Sequence, residues 1–226
     1  MLEKVVQGAA GFQTIYVDDS LLVLNKPAGL LSVPGRGEDK QDCLSRRVQL
    51  HYPDALVVHR LDMATSGLIL MARGPSMQRA LAKLFETRTI QKRYVAVVDG
   101  HMPSLPDWQL IDLPIAADWP HRPLRIINAS TGQPSQTRWR ALSYDGATHS
   151  TRVELEPLTG RTHQLRVHLQ ALCHPILGDT LYAPQAARAK ASRLMLHACA
   201  LSFARPATMP FQPLSEWLLF ESEPDF

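Results

Sequence analysis

Cysteine is scarce: Cys43, Cys173 and Cys199 are the only three in 226 residues, with no CxxC pair and an odd count. That usage fits neither a disulfide framework nor a zinc site, and it points to a reducing cytoplasm. Long apolar runs are missing as well. No stretch approaches the roughly 20 residues of a membrane helix, and "MLEKVVQGAAGFQ" lacks the continuous apolar core of a secretory signal. Walker loops, dinucleotide fingerprints and G-x-S-x-G elbows do not occur, and the "PGRG" glycines precede no phosphate-binding helix. His163 and His168 stand five apart, which on a helix keeps them from facing one metal; Cys173 and His174 are mere neighbours, not a nucleophile–base pair. Any chemistry is expected to run without metal or nucleotide cofactor.

What is present looks globular. The chain is 45% hydrophobic and carries a formal charge of +3, and its length suits one large domain or two lobes sharing a core. Of 24 basic residues, 18 are arginine. The planar guanidinium fork suits phosphates and stacked bases, although a GC-rich genome would produce the same bias.

Strand signals dominate and come in hairpins. Ile15–Val17 and Leu21–Leu24 flank an Asp-Asp-Ser turn. Tyr94–Val98 alternates into Asp-Gly, and "QTRWRALSYD" and "STRVELEPL" surround a turn at Gly146. "RLMLHACALSF" reads as a last long strand. Helices are expected over Asp42 to His51, with Asp42 as N-cap, over the stripe Met77, Leu81, Leu84 and Phe85, and through "GRTHQLRVHLQALCHP". Residues His101 to Pro134 hold many prolines and little periodicity, so a long surface excursion with a short strand or two is expected. With no repeats or linker, one α+β domain over 1–226 on a largely antiparallel sheet follows.

The stretch "LVVHRLDMATSGLILMAR" sets His59, Arg60 and Asp62 between two buried strands. A turn closed by Asp explains part of this; a site at a strand end explains it too. Asp62 there would be partly desolvated, which favours its neutral form unless a guanidinium holds the anion. Arg166 is the best supplier, placed on a flank of the Leu165, Leu169, Leu172 stripe. Tyr94, opening an apolar strand, could stack on a base and handle a proton, or be an ordinary half-buried tyrosine.

"HRLDMATSGLILMA", "KRYVAVV" and "TGRTHQLRVHLQALCHPILGD" occur in this order, and together they resemble the RluA-family pseudouridine synthases over nearly the whole chain. The resemblance implies the pseudouridine synthase fold, a mixed, mostly antiparallel sheet with flanking helices and a central cleft, without an N-terminal S4-like domain. It implies an isomerase that turns uridines in rRNA and tRNA stem-loops into pseudouridine with no cofactor; the cysteine usage and hydropathy add the expectation of a cytoplasmic protein that meets no membrane, and a monomer is the default. Asp62 would be the catalytic aspartate, acting as nucleophile or as base. Arg166 would be its ion-pair partner, Tyr94 the group against the base, and Arg60 the side chain entering the stem-loop. Further RNA contacts are expected from His59, Arg161, His163, Arg122, Arg125, Lys26 and Arg36. The alternatives are a family member acting on tRNA only and a non-catalytic RNA-binding or folding factor.

Overall fold

The computed structural model describes residues 11–206 and 217–226. In chain order the elements are β1 (Gln13–Val17), β2 (Leu21–Lys26), α1 (Leu44–Gln49), β3 (Ala55–Val57), β4 (Ser66–Arg73), α2 (Pro75–Glu86) and β5 (Gln91–Asp99). There follow β6 (Gln109–Asp112), β7 (Ile115–Ala117), β8 (Arg125–Ile127), β9 (Gln136–Asp145), β10 (Ser150–Pro157) and α3 (Gln164–Ala171). The last are α4 (Gln185–Ala189), β11 (Leu196–Ala204) and β12 (Trp217–Glu221). The described residues form two compact units, 11–92 with 198–206 and 217–225, and Arg93–His197 with Phe226.

The first unit is built on two strands that are apolar on both faces. β2 pairs antiparallel with β4 from Leu21↔Ala72 to Lys26↔Gly67. β1 extends the sheet beyond β2, while β3 and β11 neighbour β4 and β12 pairs with β11. Leu68, Leu70 and Ala72 of β4 join Leu21, Val23, Phe203 and Phe220 in one core. Each large apolar side chain buried there contributes about 1.5–3 kcal/mol. α2 covers this core with Met77 and Leu81, flanked by Leu84 and Phe85, which is the stripe expected from the sequence. Pro75 opens the helix after Gly74, where a missing amide hydrogen costs nothing. Gly67 is needed for a different reason. Its φ is +110°, and a Cβ would lie 2.3 Å from the Ala198 carbonyl oxygen, so the backbones of β4 and β11 meet there.

In the second unit β5, β10, β9 and β6 pair antiparallel in that order, with Tyr94 opposite Leu155. β7 and β8 make a separate small hairpin. α3 packs on β8, β9 and β10, and Val167 meets Ile115 and Tyr182 in a satellite core. The mostly antiparallel α+β pattern agrees with the expected fold class.

Three expectations need correction. α1 is capped by Cys43 in extended conformation instead of Asp42, because the Asp42 carboxylate is engaged by Arg47 at 2.7 and 2.5 Å. α3 covers only Gln164–Ala171 of the helix read from Gly160 to Pro175. His163 at φ 58° stops it at the front. Behind, Cys173 at φ 62° closes a Schellman motif, its amide bonding Gln170 and the His174 amide bonding Leu169. The excursion from His101 to Pro134 holds three short strands, against the one or two expected.

Candidate active site

The turn between β3 and β4 carries His59, Arg60 and Asp62, and its backbone is held from several sides. The Ser32 hydroxyl donates to the Leu61 carbonyl at 2.7 Å and accepts the Leu61 amide at 3.1 Å. The Met63 carbonyl accepts the Gly29 amide at 2.8 Å and the Lys26 ammonium at 3.1 Å. The Thr65 amide closes the turn on the Asp62 carbonyl at 3.1 Å. Asp62 is half-buried and Arg60 exposed on this clamped loop. A turn whose backbone is fixed so firmly loses little further entropy on binding a ligand.

Lys26 corrects one expectation. It is fully buried, and its ammonium donates to the carbonyls of Pro27, Leu30 and Met63, so no proton is left for a phosphate. Burial pushes its pKa down to about 8, against the pull of the negative Asp62 carboxylate. Lys26 thus holds the Asp62 turn from inside and puts positive charge behind Asp62. His59 needs the same correction. Its ring stacks on Phe85 at 4.4 Å, and Nε2 accepts the Leu70 amide at 2.9 Å. Burial, helped by the Lys92 charge, holds its pKa down to about 3. The ring is neutral and braces the turn; it offers RNA no cation.

Arg166 lies inside the second unit, 4% exposed. Its Nε and Nη2 grip the two oxygens of fully buried Asp179 at 2.8 and 2.6 Å. Asp179 also accepts the amides of Leu181 and Tyr182. The guanidinium sits over the Tyr182 ring at 5.0 Å. The Tyr182 hydroxyl accepts the Arg125 amide at 3.0 Å and lies 2.7 Å from His163 Nδ1. Arg166, His163 and Arg125 are therefore joined through one tyrosine. The rest of the motif is structural: Gln164 bonds Thr159, Thr137 and the Gln136 carbonyl, and His168 bridges Thr137 and the Leu113 carbonyl.

Tyr94 is half-buried at the start of the apolar part of β5. Arg36, on its loop, and Arg122 are exposed, the latter 3.9 Å over the Trp119 ring; Arg161 and Arg125 line a groove in the second unit. Sequence reasoning missed Asp179, Tyr182 and Ser32. Asp179 closes the quoted motif "HPILGD", and a buried arginine's need for a carboxylate was the signal that could have found it.

Residues 20–171 match the family model for RNA pseudouridylate synthase. The chain belongs to that family and is an isomerase that converts uridine in RNA to pseudouridine. It is 51% identical, over 85% of its length and 87% of the relative's, to the dual-specificity RNA pseudouridine synthase RluA of Escherichia coli (strain K12). To the protein of the same name from Yersinia pestis it is 49% identical, over 85% and 92%. Among solved structures, human RNA Pseudouridylate Synthase Domain Containing 1 superposes with TM-score 0.77 at 28% identity, covering 98% of this chain and 87% of that one. Human RNA Pseudouridylate Synthase Domain Containing 4 does so with TM-score 0.67 at 27% identity, covering 84% and 83%.

Proposed function

We propose that the chain acts on uridines in stem-loops of both large-subunit rRNA and tRNA anticodon arms, as one catalytic domain, monomeric and cytoplasmic, with no metal or nucleotide cofactor. Identity of 51% and 49% over 85% of the chain with relatives named as dual-specificity synthases supports both RNA classes. Asp62 is the catalytic carboxylate, Arg166 its cationic partner, Tyr94 the ring against the target base, and Arg60 the side chain that takes the place of the everted uridine. The observation that carries the assignment is the clamped turn, which exposes Arg60 and holds Asp62 half-buried.

The reaction breaks the bond from uracil N1 to ribose C1′, turns the base, and joins C5 to C1′. N1 gains a proton and C5 loses one, so atoms and electrons balance within the substrate. Asp62 serves as a base that takes a proton from ribose C2′ as N1 departs and returns it once C5 has joined C1′, with the positive charge of Lys26 behind it. Everting the base costs a few kcal/mol, least in a loop, and the Arg60 guanidinium can refill the gap by stacking.

The test is tritium release from [5-³H]uridine-labelled rRNA and tRNA transcripts in EDTA. Release from both supports the proposal. Release from tRNA alone overturns dual specificity, and release from neither, with tight binding retained, makes the chain an RNA-binding factor.

A further inference from the structure

Along the β7–β8 hairpin the second unit carries a groove that the proposed reaction does not use. Its volume is about 580 Å³, within the roughly 300–1,000 Å³ typical of small-ligand sites. β7 forms an apolar floor, and Trp119, Arg125, Thr131, Gln133, Arg161 and Thr162 complete the lining, with no carboxylate among them. The walls are fixed, since Ile115 and Gln133 exchange both backbone hydrogen bonds at 3.0 and 2.9 Å.

Arg125 and Trp119 together define the ligand. Arg125 Nε is buried without a hydrogen-bond partner among the described residues, and a buried donor left so is costly unless something binds it. Among the described residues Arg161 spends only Nε, on the Pro134 carbonyl at a long 3.4 Å. Two guanidiniums with no lining carboxylate favour an anion, and their forks match phosphate. Trp119 stays 66% exposed even with Arg122 stacked on it. A phosphate-sized anion site beside an exposed indole describes a nucleotide.

We propose that this groove binds one nucleotide of the substrate RNA other than the target uridine. Its phosphate meets Arg125 and Arg161, its base stacks on Trp119, and Thr131, Gln133 and Thr162 offer hydrogen bonds to its edge. The inference rests on RNA being the substrate. Its link to Arg166 is short: the Arg125 amide donates a hydrogen bond to the Tyr182 hydroxyl, and the Tyr182 ring lies beneath Arg166. The groove thus stands at a set position from the catalytic arginine and selects RNAs with a second unstacked nucleotide.

The experiment is fluorescence anisotropy of a labelled tRNA anticodon stem-loop across a salt series, with wild-type turnover measured in parallel. Trp119→Ala should weaken binding about tenfold, and Trp119→Phe, which keeps a ring, should restore most of it. Arg125→Gln with Arg161→Gln should lower the slope of log K against log salt by about 0.7 per phosphate lost. Unchanged affinity and slope overturn the proposal, and leave the groove to a protein partner. So does a loss in Trp119→Ala that Trp119→Phe fails to restore. Binding needs no turnover: an inactive wild type overturns the catalytic reading alone, while insensitive variants of an active wild type overturn the groove alone.

Discussion

Arg166 and His59 show how much a single side chain does here for the fold. Arg166 is paired bidentately with a carboxylate that is fully buried. Removing one partner of such a pair costs about 3–5 kcal/mol, because the other charge stays behind in the core. Arg166→Met is therefore expected to abolish turnover and to lower denaturant stability by that amount, and Arg166→Lys to recover little, since an ammonium lacks the fork. Wild-type stability in Arg166→Met would refute the buried pair. His59 supplies a pH test. Its folded pKa of about 3 lies below the ordinary 6.5, so between those values the unfolded chain binds the extra proton. Its contribution is full above pH 6.5 and is lost as pH falls toward 3, at up to about 1.4 kcal/mol per unit. Stability of wild type minus that of His59→Gln, from urea melts, should rise with pH across this window and be flat above it. A flat difference below pH 6 would mean that the ring is charged in the native state.

At the scale of elements, the long apolar strands and α2 were legible because periodicity and continuous hydrophobic runs report burial directly. α3 was overread because Leu165, Leu169 and Leu172 kept the helical period, while the left-handed residues that end it, His163 and Cys173, are neither glycine nor asparagine. The positions of Asp62 and Arg60 were legible from a polar break between apolar strands. The roles of Lys26 and His59 were not: a charged or titratable residue at a strand end reads as exposed until its carbonyl or amide partner is seen. Ser32 belongs to this class, since both its bonds go to Leu61, 29 residues away. Ser32→Ala should cost about 1–3 kcal/mol by leaving the buried Leu61 groups unpaired, and should lower kcat by loosening the Asp62 turn. A kcat equal to wild type would show that the clamp is irrelevant to catalysis. Gly67→Ala tests the strand contact. With no room for a Cβ and a positive φ, its loss should exceed about 2 kcal/mol in chemical denaturation; a change under about 0.5 would contradict the close approach.

Across the whole molecule, the arginine excess has two uses that composition could not separate. Much of it is internal: Arg73 pairs Asp54, Arg138 pairs Glu156, and Arg93 and Arg140 share Glu154 while stacking on Trp108. Arg36, Arg60, Arg122, Arg125 and Arg161 stand outside these pairs. With a net charge of only +3, the salt dependence of RNA binding should follow these few side chains. Neutralising half-buried Arg93 and exposed Arg138 should leave it unchanged. The central claim is that the Asp62 carboxylate carries the isomerisation, and Asp62→Asn tests it most directly, by tritium release from [5-³H]uridine-labelled tRNA alongside its affinity for the same RNA. Affinity near wild type with no release is the expected result. Measurable turnover by Asp62→Asn would contradict the account.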